Sequence, residues 1–499
     1  MDRLSRILLF AICLSLPLDA SPTKGPRQTS DEHPVCVVGA GPTGLAAAHA
    51  LERKNYPVVV FEREPDVGGK CASYYETADR SIFSAMGALL ISNETYTETV
   101  PIVESAGVPF HIAKSVTSGY NYPPLELPMS GQGSVSLTKT PSLTEQQIGL
   151  MRQEIVKYVT FWRTEFQPKH SKIRYTNGIP LEFSVPMSEW LSSNGYQVLP
   201  VVMRQGLALA GYDDLDKTAA VYGLQYFTPD ILAYFANTGV VNFVDFYAVM
   251  AHYASTLKGQ ILRDTTVTKV DRSGDFPVVS YLTKGSVGIQ TTTCSQLILA
   301  IPPLIEALTG PDDISQPISR SGIAMDLSDA ERNVFSKVGM TSYISGAVRM
   351  PDVPVNITYS QLPTRDIGQP ILATKCFVES SILTTYSWGP FKAHGRSDIS
   401  LEEARRLLIE TYSALDFGPA ASGATGESIR VTIKDEDIRD FKEWDYFPRF
   451  QPADIADGIY ERYNALQGYK NTYWASGLNS FELVEFALRS GREIVETYF

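Results

Sequence analysis

The sequence predicts an α/β fold in which a parallel-sheet domain is interleaved along the chain with an α+β domain. Three observations predict it. An apolar run, a glycine turn, a helical stretch and a second apolar run follow one another within residues 35–61. A further apolar strand, Gln296–Ile301, lies in the middle of the chain. Another short strand, with its own Ser-Gly turn and helix, closes the sequence at 472–496.

Composition narrows the function. At 499 residues the chain exceeds one ordinary domain, and 44% hydrophobic with 20% charged residues is a globular balance that excludes a mainly disordered, collagenous or coiled-coil architecture. Lys and Arg total 43 against 55 Asp and Glu, a net charge of −12 that repels phosphate backbones and argues against a nucleic-acid partner. The 26 Tyr and 22 Phe suffice to line an apolar cavity.

The elements follow in order. Arg3 and Arg6 precede the apolar run Ile7–Leu18 and the small-residue stretch Asp19-Ala20-Ser21, so 1–20 reads as a signal peptide and the secretory pathway as the destination. Twelve apolar residues span about 18 Å as a helix, short of a bilayer core of about 30 Å. No later stretch is long enough either, so no stable membrane span is expected. Residues 21–33 are polar and read as a flexible leader. Secretory entry makes Asn93 and Asn356, each in an Asn-X-Thr sequon, candidate glycosylation sites. Cys36 falls in a buried strand, so it, Cys71, Cys294 and Cys376 are expected mostly as free buried thiols. No Cys or His spacing supports a metal site.

Val35–Val38 reads as a buried strand, Leu45–Lys54 as a helix and Val58–Phe61 as the next strand. Thr144–Phe166 places Ile148, Met151, Ile155, Val159, Trp162 and Phe166 at helical spacing, a stripe that reads as core rather than substrate cavity. Phe243–Leu257 reads as a helix, Val267–Val270 as extended, Thr341–Arg349 and Leu383–Trp388 as a second sheet, and Phe481–Glu496 as the closing helix.

The turn Gly39-Ala40-Gly41-Pro42-Thr43-Gly44 satisfies G-x-G-x-x-G between a strand and a helix, and Glu62 ends the second strand 23 positions after Gly39. Gly39 allows the tight turn, Gly41 lets backbone approach a pyrophosphate, Gly44 lets helix and strand pack, and the helix start offers free N–H groups. Glu62 would accept from ribose hydroxyls, which disfavours NADP. Arg63 follows it, and Gly68-Gly69-Lys70 adds a second backbone approach beside a positive charge.

This pattern resembles the flavin-containing amine oxidase and phytoene desaturase superfamily, whose fingerprint runs from the glycine turn through Glu to Gly-Gly-Arg; Lys70 stands where that family usually has Arg. Met86-Gly87-Ala88, Val267 in the adenine-bracketing strand, Leu299–Pro303, and Ser476-Gly477 with Leu483-Val484-Glu485 match further family segments. The resemblance implies a two-lobed fold with a Rossmann-like domain that binds FAD, and a closing helix whose N-terminus faces the flavin ring. The segment Trp444–Pro448 looks most like the fungal β-cyclopiazonate dehydrogenase family of secondary-metabolite enzymes.

Departures bear on chemistry. No cysteine follows Cys376, which implies non-covalent FAD. The lysine many amine oxidases hold near flavin N5 is missing from Thr341–Val348, with Lys337 the nearest candidate, and no arginine motif for a substrate carboxylate is evident. His33, His49, His111, His170, His252 and His394 read as surface or structural, so no catalytic residue is assigned and flavin N5 is the reactive group.

The expectation is therefore a cofactor domain from 31–95, 240–305 and 435–499, and a substrate domain from 96–239 and 306–434. The expected activity is that of an FAD-dependent oxidase or dehydrogenase taking hydride from a hydrophobic intermediate, with O2 as acceptor. A secreted amine or amino-acid oxidase is the alternative, and a redox-silent binding protein on the same fold is another.

Overall fold

A computed structural model describes residues 33–113, 118–128, 134–310, 322–375, 377–397, 399–422 and 427–499. The expected signal peptide 1–20, the expected leader up to residue 32 and Cys376 lie outside the described residues. No described helix is long and apolar enough to cross a membrane.

The valine run Val35–Val38 is buried throughout and forms the middle of a five-stranded sheet. Its neighbours are Val58–Phe61 on one side and Gln296–Leu299 on the other, with Gln260–Leu262 and Thr472–Trp474 at the two edges, every pair parallel. Continuous apolar strands of this kind are what a parallel sheet covered on both faces requires. The helix Pro42–Arg53 follows the first strand, and the closing helix Val484–Tyr498 lies against it. Contact is close enough that a Cβ on Gly491 would stand 2.0 Å from the carbonyl oxygen of Thr43.

One expectation fails here. Cys36 and Cys294 are bonded as a disulfide across 258 residues, with Cα atoms 5.6 Å apart, and among the described residues only Cys71 is a free thiol. Cys36 is buried as expected, but Cys294 lies two residues before the neighbouring strand Gln296–Leu299, a juxtaposition set by pairing that no local pattern reveals.

The second lobe is built on a seven-stranded sheet in the order Ile438–Arg449, Gly339–Arg349, Ile382–Trp388, Pro370–Thr374, Ile357–Gln361, Ser118–Tyr122, Thr138–Lys139. All pairs are antiparallel except Ile357–Gln361 with Ser118–Tyr122. The expected segment 435–499 is thus divided, because Ile438–Arg449 is an edge strand of this sheet and the chain rejoins the parallel sheet only at Thr472. Ala324–Met325, expected in the substrate segment 306–434, extends the sheet of Thr265–Asp271 instead. Strand partners far apart in sequence decide these memberships.

The amphipathic helix runs Glu145–Phe161, started by a capping box between Thr144 and Gln147, and continues as a π-helical turn over Trp162–Phe166. Met151, Trp162 and Phe166 are buried in the main core, as the stripe predicts. Ile148 and Met151 also reach the cavity described next, so one end of the stripe serves both purposes.

Candidate functional site

A cavity of about 1980 Å³ runs from the glycine turns of the parallel sheet to the face of the seven-stranded sheet. Of the expected cofactor residues, Gly39, Gly41, Glu62, Arg63, Gly69, Lys70, Val267, Gly477 and Leu483 all line it. Ala40 and Gly44 do not, and their roles lie behind the wall. The amide of Ala40 donates to Glu62 Oε2 at 2.7 Å, and a Cβ on Gly44 would stand 1.9 Å from the carbonyl oxygen of Gly39.

The turn is shaped by backbone freedom at one position above all. Gly39 has φ of +100°, and a Cβ there would meet the carbonyl oxygen of Ala300 at 2.9 Å. Gly41 then heads the helix Pro42–Arg53 with no side-chain cap, leaving the first turn's N–H groups for a ligand. The second turn faces the first, since a Cβ on Gly69 would lie 3.3 Å from Gly41 Cα.

Glu62 is 7% exposed. Its two oxygens accept from the amides of Ala40 at 2.7 Å and Glu64 at 2.9 Å, and each retains a lone pair for a further donor. Burial pushes its pKa above the ordinary carboxylate value, and these two hydrogen bonds pull it only partly back. Arg63 is solvent-exposed beside Glu64.

At the junction of the lobes, Lys70 is ion-paired with Glu482, and its ammonium lies 5.9 Å from the centroid of the Tyr446 ring. A Cβ on Gly477 would stand 2.7 Å from Glu482 Oε2. The closing helix starts after Leu483 without a side-chain cap, and Leu483, Val484 and Ala487 line the cavity, so a second set of free N–H groups is presented to it. The next residue, Glu485, turns away and accepts from the amides of Glu98 and Thr99, which fixes the start of the helix Thr99–Ala106.

Opposite these turns stands an aromatic wall that sequence reading did not single out. The Tyr343 ring is 4.9 Å from that of Tyr446 and 5.6 Å from that of Tyr386, and all three line the cavity. Burial holds the Tyr343 and Tyr446 hydroxyls well above the usual phenol range, so they stay protonated. Trp444 Nε1 donates to the carbonyl oxygen of Met86 at 2.7 Å, and the Tyr386 hydroxyl donates to that of Ala85 at 2.8 Å. These bonds tie the wall to the Met86-Gly87-Ala88 turn. Alternation over Thr341–Arg349 was the available signal for Tyr343. Glu482 had none beyond its place in the closing motif.

Other candidates fall elsewhere. Lys337 is 42% exposed and paired with Asp454 at 3.3 Å, away from the cavity. No described histidine lines the cavity. Cys71 does, and burial pushes its thiol up to about 12, which keeps it protonated and a poor nucleophile. Asn93 and Asn356 are exposed, Asn356 at the cavity rim. No group of described residues could hold a metal ion.

Facing glycine turns, an uncapped helix start and a buried carboxylate with spare lone pairs fit a dinucleotide. Residues 37–98 match the family described as NAD(P)-binding Rossmann-like domain. The chain is similar to β-cyclopiazonate dehydrogenase of Aspergillus flavus, 24% identical with 88% of this chain and 87% of that protein covered. It is also similar to a polyenoic fatty acid isomerase of Ptilota filicina, 26% identical over 50% of this chain and 53% of the other. Among solved structures, the fatty acid isomerase from P. acnes that produces CLA superposes with a TM-score of 0.72 at 22% identity, covering 94% of this chain and 99% of that one. Cyclohexylamine oxidase from Brevibacterium oxydans superposes with a TM-score of 0.56 at 14% identity, covering 93% and 98%.

Fold and site together define a two-lobed protein with a Rossmann-like lobe shaped for a dinucleotide, its fold like that of the solved amine oxidases. Its relatives in sequence include proteins described as FAD-dependent oxidoreductases.

Proposed function

We propose that the chain is an FAD-dependent oxidoreductase that takes hydride from an apolar small molecule. The observation that carries this reading is the continuity of one cavity from the Gly39, Gly41 and Glu62 cradle to the Tyr343, Tyr386 and Tyr446 wall. Bound FAD would supply an acceptor for hydride from carbon, with O2 as the expected final acceptor of the electrons. The chain's own residues hold and orient. Glu62 would receive the ribose hydroxyls, the uncapped helix starts would offer N–H groups to the pyrophosphate and the ring, and the tyrosine wall would exclude water from the reacting carbon. A protonated Cys71 supports non-covalent attachment.

The likeness to β-cyclopiazonate dehydrogenase supports a terpenoid, indole or polyketide intermediate of fungal secondary metabolism as substrate, with cyclisation after oxidation. The Cys36–Cys294 disulfide supports the secretory route, since such bonds persist in oxidising compartments. A second reading rests on the likeness to two fatty acid isomerases, a redox-neutral shift of a double bond.

Anaerobic mixing of the purified yellow protein with apolar candidates and with simple amines tests the proposal. Bleaching of flavin absorbance by an apolar substrate, and release of all flavin on acid precipitation, are expected. A colourless protein, or bleaching by simple amines alone, overturns it. Product of unchanged mass without oxygen uptake selects the second reading.

A further inference from the structure

Between two helices the chain folds a short segment against the tyrosine wall. Gly211-Tyr212-Asp213 follows the helix Leu199–Leu209, and each residue is held by a different part of the site. Gly211 has φ of +84°, and a Cβ there would stand 2.8 Å from the Tyr343 ring and 2.9 Å from the Tyr446 ring, so only glycine lets the backbone lie on the edges of both. Tyr212 lines the cavity, and its ring stacks on that of Tyr446 with centroids 5.4 Å apart. Asp213 is buried and ion-paired with Arg449 at 2.5 Å.

Arg449 closes the frame. It is wholly buried, and its second terminal nitrogen donates to Thr341 Oγ1 at 3.1 Å and to the carbonyl oxygen of Phe447 at 3.2 Å. Thr341 stands two residues before Tyr343, Phe447 directly after Tyr446, and Asp213 directly after Tyr212. One guanidinium thereby holds the chain beside three cavity tyrosines. A buried ion pair adds little net stability, yet removing one partner is costly, so the arrangement is firm. From the other side the Thr218 hydroxyl donates to the Tyr212 carbonyl oxygen at 2.7 Å.

The Tyr212 hydroxyl crosses to the cofactor lobe, where it donates to the carbonyl oxygen of Glu482 at 2.7 Å. Glu482 stands directly before Leu483, the uncapped start of the closing helix, and Leu483, Val484 and Ala487 line the cavity. An unpaired carbonyl oxygen there would set the negative end of a dipole beside the positive end of the helix. Burial holds the Tyr212 phenol well above its usual range, so it remains a donor at neutral pH. We propose that Tyr212 tunes the bound flavin: by pairing the Glu482 carbonyl it preserves the positive field of the closing helix, which favours the reduced, negatively charged ring and raises its midpoint potential. Tyr212 is a positioning residue that acts through Glu482, with Gly211, Asp213 and Arg449 holding it in place. This goes beyond the proposed function and rests on its flavin.

The test is the midpoint potential of the flavin in the purified, flavin-loaded protein, measured by spectrophotometric titration against reference dyes. Tyr212→Phe keeps the ring stack and removes only the donor. It should weaken binding of reduced relative to oxidised flavin about 3- to 10-fold, the worth of one hydrogen bond, which lowers the potential by about 15–30 mV for a two-electron couple. Thr218→Val, which removes only the hydroxyl holding the Tyr212 carbonyl, should lower it less, and it carries the test should Tyr212→Phe fail to fold. Tyr222→Phe is the control. The Tyr222 hydroxyl accepts from the Phe450 amide and bonds to the Tyr460 hydroxyl, but Tyr222 does not line the cavity, so stability should fall and the potential stay. An unchanged potential in both Tyr212→Phe and Thr218→Val, a rise in either, or an equal fall in Tyr222→Phe overturns the proposal. A protein that purifies colourless overturns the flavin reading, and this inference with it.

Discussion

Lys70 and Glu482, 412 residues apart, meet as an ion pair where the second glycine turn touches the closing motif. Both side chains are partly buried, so each screens the other from an uncompensated charge beside the cofactor. Glu482→Gln should weaken flavin binding by about 1–3 kcal/mol, read as flavin lost on gel filtration. Lys70→Arg should be tolerated, and full flavin retention in Glu482→Gln would show that the pair does not serve the cradle.

Glu62 has two jobs, holding two backbone amides and facing the cavity. Glu62→Ala orphans the buried amide of Ala40, at about 1–3 kcal/mol, frees the amide of Glu64 to solvent and removes the ribose acceptor. Flavin occupancy should fall sharply and melting temperature modestly. Unchanged flavin absorbance after gel filtration would defeat the ribose assignment.

Burial raises the pKa of Glu62, so the flavin-free fold favours its protonated form. That contribution to stability is complete below the unfolded value of about 4.5 and is lost as pH rises through the folded value. Ribose hydroxyls donate to the carboxylate and favour the opposite form. Flavin affinity should therefore decline as the pH falls through the raised pKa of Glu62, while the apoprotein gains stability. Titration of flavin release against pH checks this, and a flat profile in wild type and Glu62→Gln alike would refute it.

The Cys36–Cys294 bond closes a loop of 258 residues. The double replacement Cys36→Ala with Cys294→Ala should cost about 2–5 kcal/mol of stability, measured by denaturant unfolding. Flavin content under native conditions should persist, because neither cysteine lines the cavity.

Gly491→Ala places a methyl group 2.0 Å from the Thr43 carbonyl oxygen, in the first turn of the helix that heads the cradle. The two helices must separate, at a cost of about 1–3 kcal/mol or more. Lower solubility and weaker flavin binding should appear together. Normal behaviour on both counts would mean that this packing is softer than described.

The cofactor cradle was legible because its parts are local. Gly39, Gly41 and Glu62 lie within one crossover unit, and their spacing states the chemistry. Gly44 was read as a packing position, and a Cβ there would stand 1.9 Å from the carbonyl oxygen of Gly39, while Val267, Gly477 and Leu483 came from resemblance and reach the same cavity. Long-range pairings were not readable. Cys36 looked like an inert buried thiol because Cys294 reaches it only through the register of two strands. Lys337 was the nearest lysine in sequence to its strand, yet the chain turns it outward to Asp454. Tyr343, Tyr386 and Tyr446 form one wall only after three strands align.

The final stretch of chain supplies one edge to each large sheet, Ile438–Arg449 to the seven-stranded and Thr472–Trp474 to the parallel one, and then the uncapped closing helix. A chain still being synthesised, or one cut before residue 438, has the glycine turns but neither Glu482 nor the second helix start. Flavin binding should therefore require the closing segment as well as the glycine turns. Nicked or truncated molecules should announce themselves by being colourless.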